Sequence, residues 1–233
     1  MRKWVVFIII AGLSLSIITT SQASFDGISL KVYPKNSILY QSLKDQPSLS
    51  LLKQIIILPK QMFDQTEAAA IITRIDAIPT SLLEKTKKQG INVKLFTGKL
   101  TDNVTARHLA GQVPRGYDSA ITWDEVPGIG GSKVVLVKIG YSEKGKGHGS
   151  VNLELHELAH SIDRYVFSEI SQSNEFSQIW KEEHESMFPN NSYFFYQEEY
   201  FAETFAMFYL NNETKELLQT KAPKTFLFIS HLH

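Results

Sequence analysis

The segment Leu155-His156-Glu157-Leu158-Ala159-His160 carries the clearest chemistry in the chain. In a helix, residues four apart share a face, so His156 and His160 can aim imidazole nitrogens at one ion. Glu157 lies one position round from His156, where its carboxylate reaches a water on that ion without ligating it. Two imidazoles and a non-ligating glutamate are the parts that metal-assisted hydrolysis needs. Zinc lowers the pKa of its water, and the carboxylate takes the proton as that water attacks a carbonyl. With only seven histidines in 233 residues, a chance match to this pattern has a probability of about one per cent. Val151, Leu153, Leu155, Leu158, Ala159 and Ile162 give the segment the apolar character of a buried helix.

A catalytic zinc takes three protein ligands and keeps one position open. The chain has no cysteine to offer. Ser161-Ile-Asp-Arg-Tyr-Val166 supplies neither the glycine nor the third histidine that would extend the motif locally. His184 sits in Lys181-Glu-Glu-His-Glu185, where charge on every side reads as a solvated helix face. Glu199 and Glu203 are four apart within Gln197-Glu-Glu-Tyr-Phe-Ala-Glu-Thr-Phe205, amid aromatics that exclude water. Burying unpaired carboxylates is costly. Metal ligation by one and a hydrogen bond to a ligand from the other would supply the partners, and the spacing leaves open which does which. Glu198 reads as solvent-facing.

The elements that position these residues predict an α+β fold: a small mixed sheet, an active-site helix and a mainly helical C-terminal half. Residues 24–50, rich in Ser, Gln and Pro, read as a loose lead-in with one strand near Ile28–Val32. Gln54–Leu58, halted by Pro59, reads as a buried strand. Gln65–Ile75 reads as a helix capped by Asp64, with Glu67 three residues on. A short helix at Ser81–Lys88 and a strand at Ile91–Thr97 follow. Pro127-Gly-Ile-Gly-Gly131 reads as a turn into a strand at Lys133–Ile139, and Ser142–Ser150 as a flexible loop. Helices are expected near 151–167, 172–187, 197–210 and 213–220. These divide the chain into an α/β part over about 24–150 and a helical part over about 151–233.

Composition bounds the partners. Lysine plus arginine and aspartate plus glutamate each number 24, so there is no basic field to hold nucleic acid. Arg2 and Lys3, an apolar run from Trp4 to about Ile18, and Ser21-Gln-Ala23 form the three parts of a secretory signal peptide, with cleavage expected after Ala23. That predicts a secreted mature protein over 24–233, without stable membrane insertion, its run being short for a span. A monomer is expected.

Taken together, His156-Glu-Leu-Ala-His-Ser-Ile-Asp163, Lys181-Glu-Glu183, Glu199-Tyr-Phe-Ala-Glu-Thr-Phe205 and Ala222-Pro-Lys-Thr-Phe-Leu-Phe-Ile229 resemble, in this order, the anthrax lethal factor-like zinc metalloendopeptidases. The resemblance covers roughly residues 145–231. It implies a zincin-like fold and a Zn2+ cofactor. It makes His156, His160 and Glu199 the metal ligands, Glu157 the general base and Glu203 a support behind a ligand. It also implies a tyrosine shortly before the third ligand that steadies the oxyanion. The usual spacing falls on Ser192, and Tyr193 is preferred to Tyr196 on its Ser-Tyr context. In size and leader the chain is similar to the family's secreted Pro-Pro endopeptidases. Their likeness implies a protein or peptide substrate outside the cell, cut beside proline and held along an edge strand, for which Lys133–Ile139 is the candidate. Trp123 and the Pro127–Gly131 loop are candidates to shape a neighbouring subsite, with an ordinary turn-and-core role as the alternative. A catalytically inactive, secreted or surface-anchored binding or toxin-accessory module on the same fold is the competing reading, but it would have no need of Glu157.

Overall fold

The computed structural model describes residues 26–115 and 120–232; the leader expected over 1–23 lies outside them. Five short strands form one mixed sheet: β1 (Ile28–Ser29), β2 (Ile56–Leu58), β3 (Asn92–Phe96), β4 (Gly128–Ile129) and β5 (Val134–Lys138), in the order β1-β2-β3-β5-β4. The outer pairs are antiparallel; β2, β3 and β5 run parallel, with Val93 opposite Val135 and Leu95 opposite Val137.

The α+β expectation is met, with local corrections. The lead-in is not loose. It holds α1 (Ile38–Leu43), started by the Ser37 hydroxyl accepting the Tyr40 N–H, and α2 (Leu49–Ile55). Both bury aliphatic residues at helical spacing, Leu39 with Leu43 and Leu52 with Ile55. The first strand stops at Ser29, because the Ser29 side chain accepts the Lys31 N–H and starts a 3-10 turn over Leu30–Val32. Gln54 and Ile55 complete α2 rather than opening β2. Asp64 caps α3 (Gln65–Asp76) as its spacing predicts, accepting the N–H groups of Thr66 and Glu67. Next comes α4 (Thr80–Lys88). These two helices make the crossover that lays β3 parallel to β2.

Lys133–Ile139 is not at the sheet edge. The turn before it, with Gly131 at φ +71°, reverses the chain so that Gly128 pairs with Val137 and Ile129 with Leu136. The edge falls to β4, and β5 is interior.

Alternation sorts the strand residues. Val93, Leu95, Val135 and Val137 point into the main core, whereas Phe96 and Leu136 face a smaller cluster with Leu100, Ala106 and Val126. The chain continues as α5 (Leu153–Tyr165), α6 (Asn174–Met187), α7 (Gln197–Leu210), α8 (Asn212–Lys221) and α9 (Pro223–Ser230). The main core runs from Leu30 to Leu232 through both halves. Among the described residues, no helix is long and apolar enough to cross a membrane.

Candidate active site

Two helices carry the site. Asn152 caps α5, its side chain accepting the Leu155 N–H at 3.0 Å. Leu155, Leu158, Ala159 and Ile162 then turn into the core, which leaves His156, Glu157 and His160 facing a cleft. α5 packs against α7, a helix buried continuously from Glu199 to Met207. A helix apolar nearly all round belongs in a protein interior, and its two inward glutamates must find partners there.

They find the histidines. Nε2 of His156 and Nε2 of His160 are 3.2 Å apart, and each lies 3.3 Å from Oε2 of Glu199. That oxygen is buried without a hydrogen bond. The three atoms thus form a nearly equilateral triangle of donors around a common point. Tetrahedral coordination at about 2.0–2.1 Å sets ligands roughly 3.3–3.4 Å apart. The donor set therefore fits a metal ion, and among the described residues it is the one such cluster.

Glu203, one turn along α7, stands behind His156. Its Oε2 lies 3.1 Å from His156 Nδ1, while its Oε1 accepts the Val151 N–H at 2.8 Å. One carboxylate thereby fixes which imidazole nitrogen faces the ligand point and ties α7 to the entry of α5. Burial works against charge on His156, but the neighbouring carboxylates of Glu199 and Glu203 outweigh that and raise its pKa to about 10. Burial likewise opposes ionisation of Glu199, yet the two imidazoles hold its pKa well below the ordinary carboxylate range.

Glu157 lines the same cleft. Burial pushes its pKa up, and the imidazoles of His156 and His160 together with the Gly130 N–H pull it down. The cleft, about 560 Å³, has one wall of Gly128–Gly131, Val126 and Trp123. Trp123 both lines the cleft and packs into the smaller cluster. The other wall holds Tyr193, Glu198 and Arg115. Tyr196, the alternative tyrosine, is instead stacked under the Arg115 guanidinium at 3.9 Å. Glu198 is not simply solvent-facing: Arg115 donates to it and to Oε1 of Glu199, each at 3.2 Å. His184 bonds the Trp180 carbonyl at 2.7 Å and stacks on that indole, apart from the metal cluster.

Sequence reasoning missed Arg115, which has no local signature. It also missed Asp163, whose carboxylate accepts the Ser171 N–H and hydroxyl at 2.8 and 2.7 Å, pinning the segment that follows α5. Burial raises the Asp163 pKa against those two bonds.

A sheet with a glycine edge strand beside a helix bearing paired imidazoles, completed by a carboxylate from a second helix, defines a chain of metallopeptidase type. The profile of the family described as anthrax toxin lethal factor, N- and C-terminal domain, matches residues 42–232. The chain belongs to this lethal factor-like metalloendopeptidase family. It is 43% identical to the Pro-Pro endopeptidase of Clostridioides difficile (strain 630) over 188 residues, covering 80% of this chain and 85% of that one. It is 40% identical to the Pro-Pro endopeptidase of Paenibacillus alvei over 185 residues, covering 78% and 85%. The solved structure of the Pro-Pro endopeptidase from Paenibacillus alvei superposes with a TM-score of 0.75 at 39% identity, covering 78% of this chain and all of that one.

Proposed function

We propose that this chain is a secreted zinc endopeptidase that cuts extracellular or surface proteins beside proline. The observation that carries the reading is the convergence of His156, His160 and Glu199 on one point, with Glu157 beside them on an open cleft. The 3.2–3.3 Å spacing of the donor atoms suits zinc, as does their nitrogen and oxygen chemistry. Zinc held there supplies Lewis acidity, making water acidic and polarising the scissile carbonyl.

The chain's own residues supply the rest. Glu157 takes a proton from the attacking water and returns it to the leaving amine. Glu203 keeps His156 oriented through Nδ1. Tyr193, on the cleft wall, donates its hydroxyl to the oxygen that gains charge. The edge strand β4 holds an extended substrate by its backbone, and the apolar faces of Trp123, Val126 and Ile129 suit proline rings. Proline as the preferred neighbour of the cut rests on the relatives' names. Secretion rests on the leader pattern of residues 1–23.

The decisive test is Glu157→Gln. It should keep stoichiometric zinc while losing cleavage of a peptide library by about 10³-fold or more. Full activity in that variant would sink the mechanism, and wild-type cuts without proline preference would remove the specificity. Mature protein in the medium should begin at Ser24.

A further inference from the structure

The catalytic helix and the glycine turn after β4 meet with almost nothing between them. A Cβ built on Gly130 would lie 2.0 Å from the Glu157 carbonyl oxygen and 3.0 Å from its Cα, so only glycine permits this approach. At Gly128 a Cβ would come within 3.1 Å of Glu157 Cγ. With no side chain there to set the spacing, hydrogen bonds must do it.

Two come from one stripe of α5, beside the contact of Gly130 with the Glu157 backbone. The buried Ser161 hydroxyl donates to the Ser132 carbonyl at 2.8 Å. Arg164 donates through Nη1 to the Gly131 carbonyl at 3.1 Å. Residues 157, 161 and 164 stand at i, i+4 and i+7 and so share one helix face. Their partners are the consecutive turn residues 130, 132 and 131. The helix stripe is matched to the turn residue by residue, and the residue nearest the metal cluster is the base itself.

We propose that Ser161 and Arg164 are positioning residues that staple the Gly130–Ser132 turn to the catalytic helix. The staple fixes the turn against the Glu157 backbone and holds β4 at the height where substrate lies. This rests on the peptidase reading above, which assigns Glu157 and β4 their roles.

The test uses the full zinc-loaded chain carrying Ser161→Ala, Arg164→Ala, both together, and Arg164→Lys. Neither site threatens folding: the first removes one hydroxyl, and the Arg164 side chain is 56% exposed. With a peptide that the wild type cuts, Ser161→Ala should lower kcat about tenfold and leave zinc content unchanged. Arg164→Ala should lower it less, the double variant most, and Arg164→Lys should recover part of the loss. Hydrogen exchange of the Gly128–Val134 segment should accelerate about tenfold in Ser161→Ala while the Leu158–Ile162 amides stay protected. Unchanged exchange in the turn would overturn the staple whether or not any peptide is cut. Acceleration spread evenly over α5 and the sheet would also overturn it, since that is general loosening. A wild type that cuts nothing defeats the peptidase reading, and the exchange pattern still decides the staple.

Discussion

Two buried glutamates in the helical half each tie the approach to one helix onto another, through different partners. Glu203 on α7 accepts the Val151 N–H at the entry of α5. Glu183 on α6 accepts the N–H groups of Lys224 and Thr225 at the start of α9, at 2.9 and 2.8 Å. Glu183 places a carboxylate where a helix leaves N–H groups unpaired, whereas Glu203 takes the N–H of the residue just before the Asn152 cap. The second oxygen of Glu203 goes to His156, whereas that of Glu183 also takes the Thr225 hydroxyl at 2.8 Å. Because a carboxylate only accepts, Thr225 spends its proton there, and Tyr200 must donate to Thr225 at 2.8 Å. One device therefore serves the metal site, and its twin fastens the C-terminal helix. Both lie in segments that mark the family resemblance, so shared motif residues divide into chemistry and architecture.

The comparison breaks if the two residues behave alike. The effect on the metal site is expected from Glu203→Ala, which strands the Val151 N–H and frees the His156 ring. Zinc affinity should fall about 10–100-fold in a competition titration with a chromogenic chelator. Glu183→Ala should cost about 3 kcal/mol in urea unfolding, because several donors lose a charged acceptor. Zinc affinity of the folded fraction should not move, and a parallel loss of affinity would merge the two roles.

A subtler contrast is pH. In the metal-free chain, the folded pKa of His156, about 10, lies above its free value of 6.5. The stabilisation it contributes is then complete below about 6.5 and is lost as pH rises through about 10. Melting temperature of the metal-free protein should fall across that window, and zinc, which displaces the proton, should abolish the fall. A metal-free protein equally stable at both ends would refute the coupling. The smallest effect belongs to Tyr200→Phe, about 1 kcal/mol of stability with unchanged zinc binding.

The sequence showed these parts unequally, for physical reasons. His156, Glu157 and His160 are legible because helix geometry converts a local spacing into a shared face. Glu199 and Glu203 are legible as costly carboxylates on an apolar helix, although spacing alone does not say which would bind metal. The bond from Glu203 to Val151 joins residues 52 apart, and no local pattern encodes it. Arg115 reaches the site from a turn whose sequence gives no sign of a partner. β4 is two residues long, too short for alternation to mark it, and the interior strand β5 was therefore expected at the edge. In the lead-in, by contrast, the signal was present. Leu39 with Leu43 and Leu52 with Ile55 are helical pairs hidden among polar residues.

The division of the metal cluster between α5 and α7 also sets its timing. A ribosome releases His156 and His160 before Glu199 and Glu203 have been made, and the two helices must then dock to bring all three donors together. A nascent chain ending before Gln197 holds two imidazoles with neither the third donor nor the brace on His156. It should capture zinc weakly and cut nothing. On the proposed function, competence would come only once α7 has docked on α5.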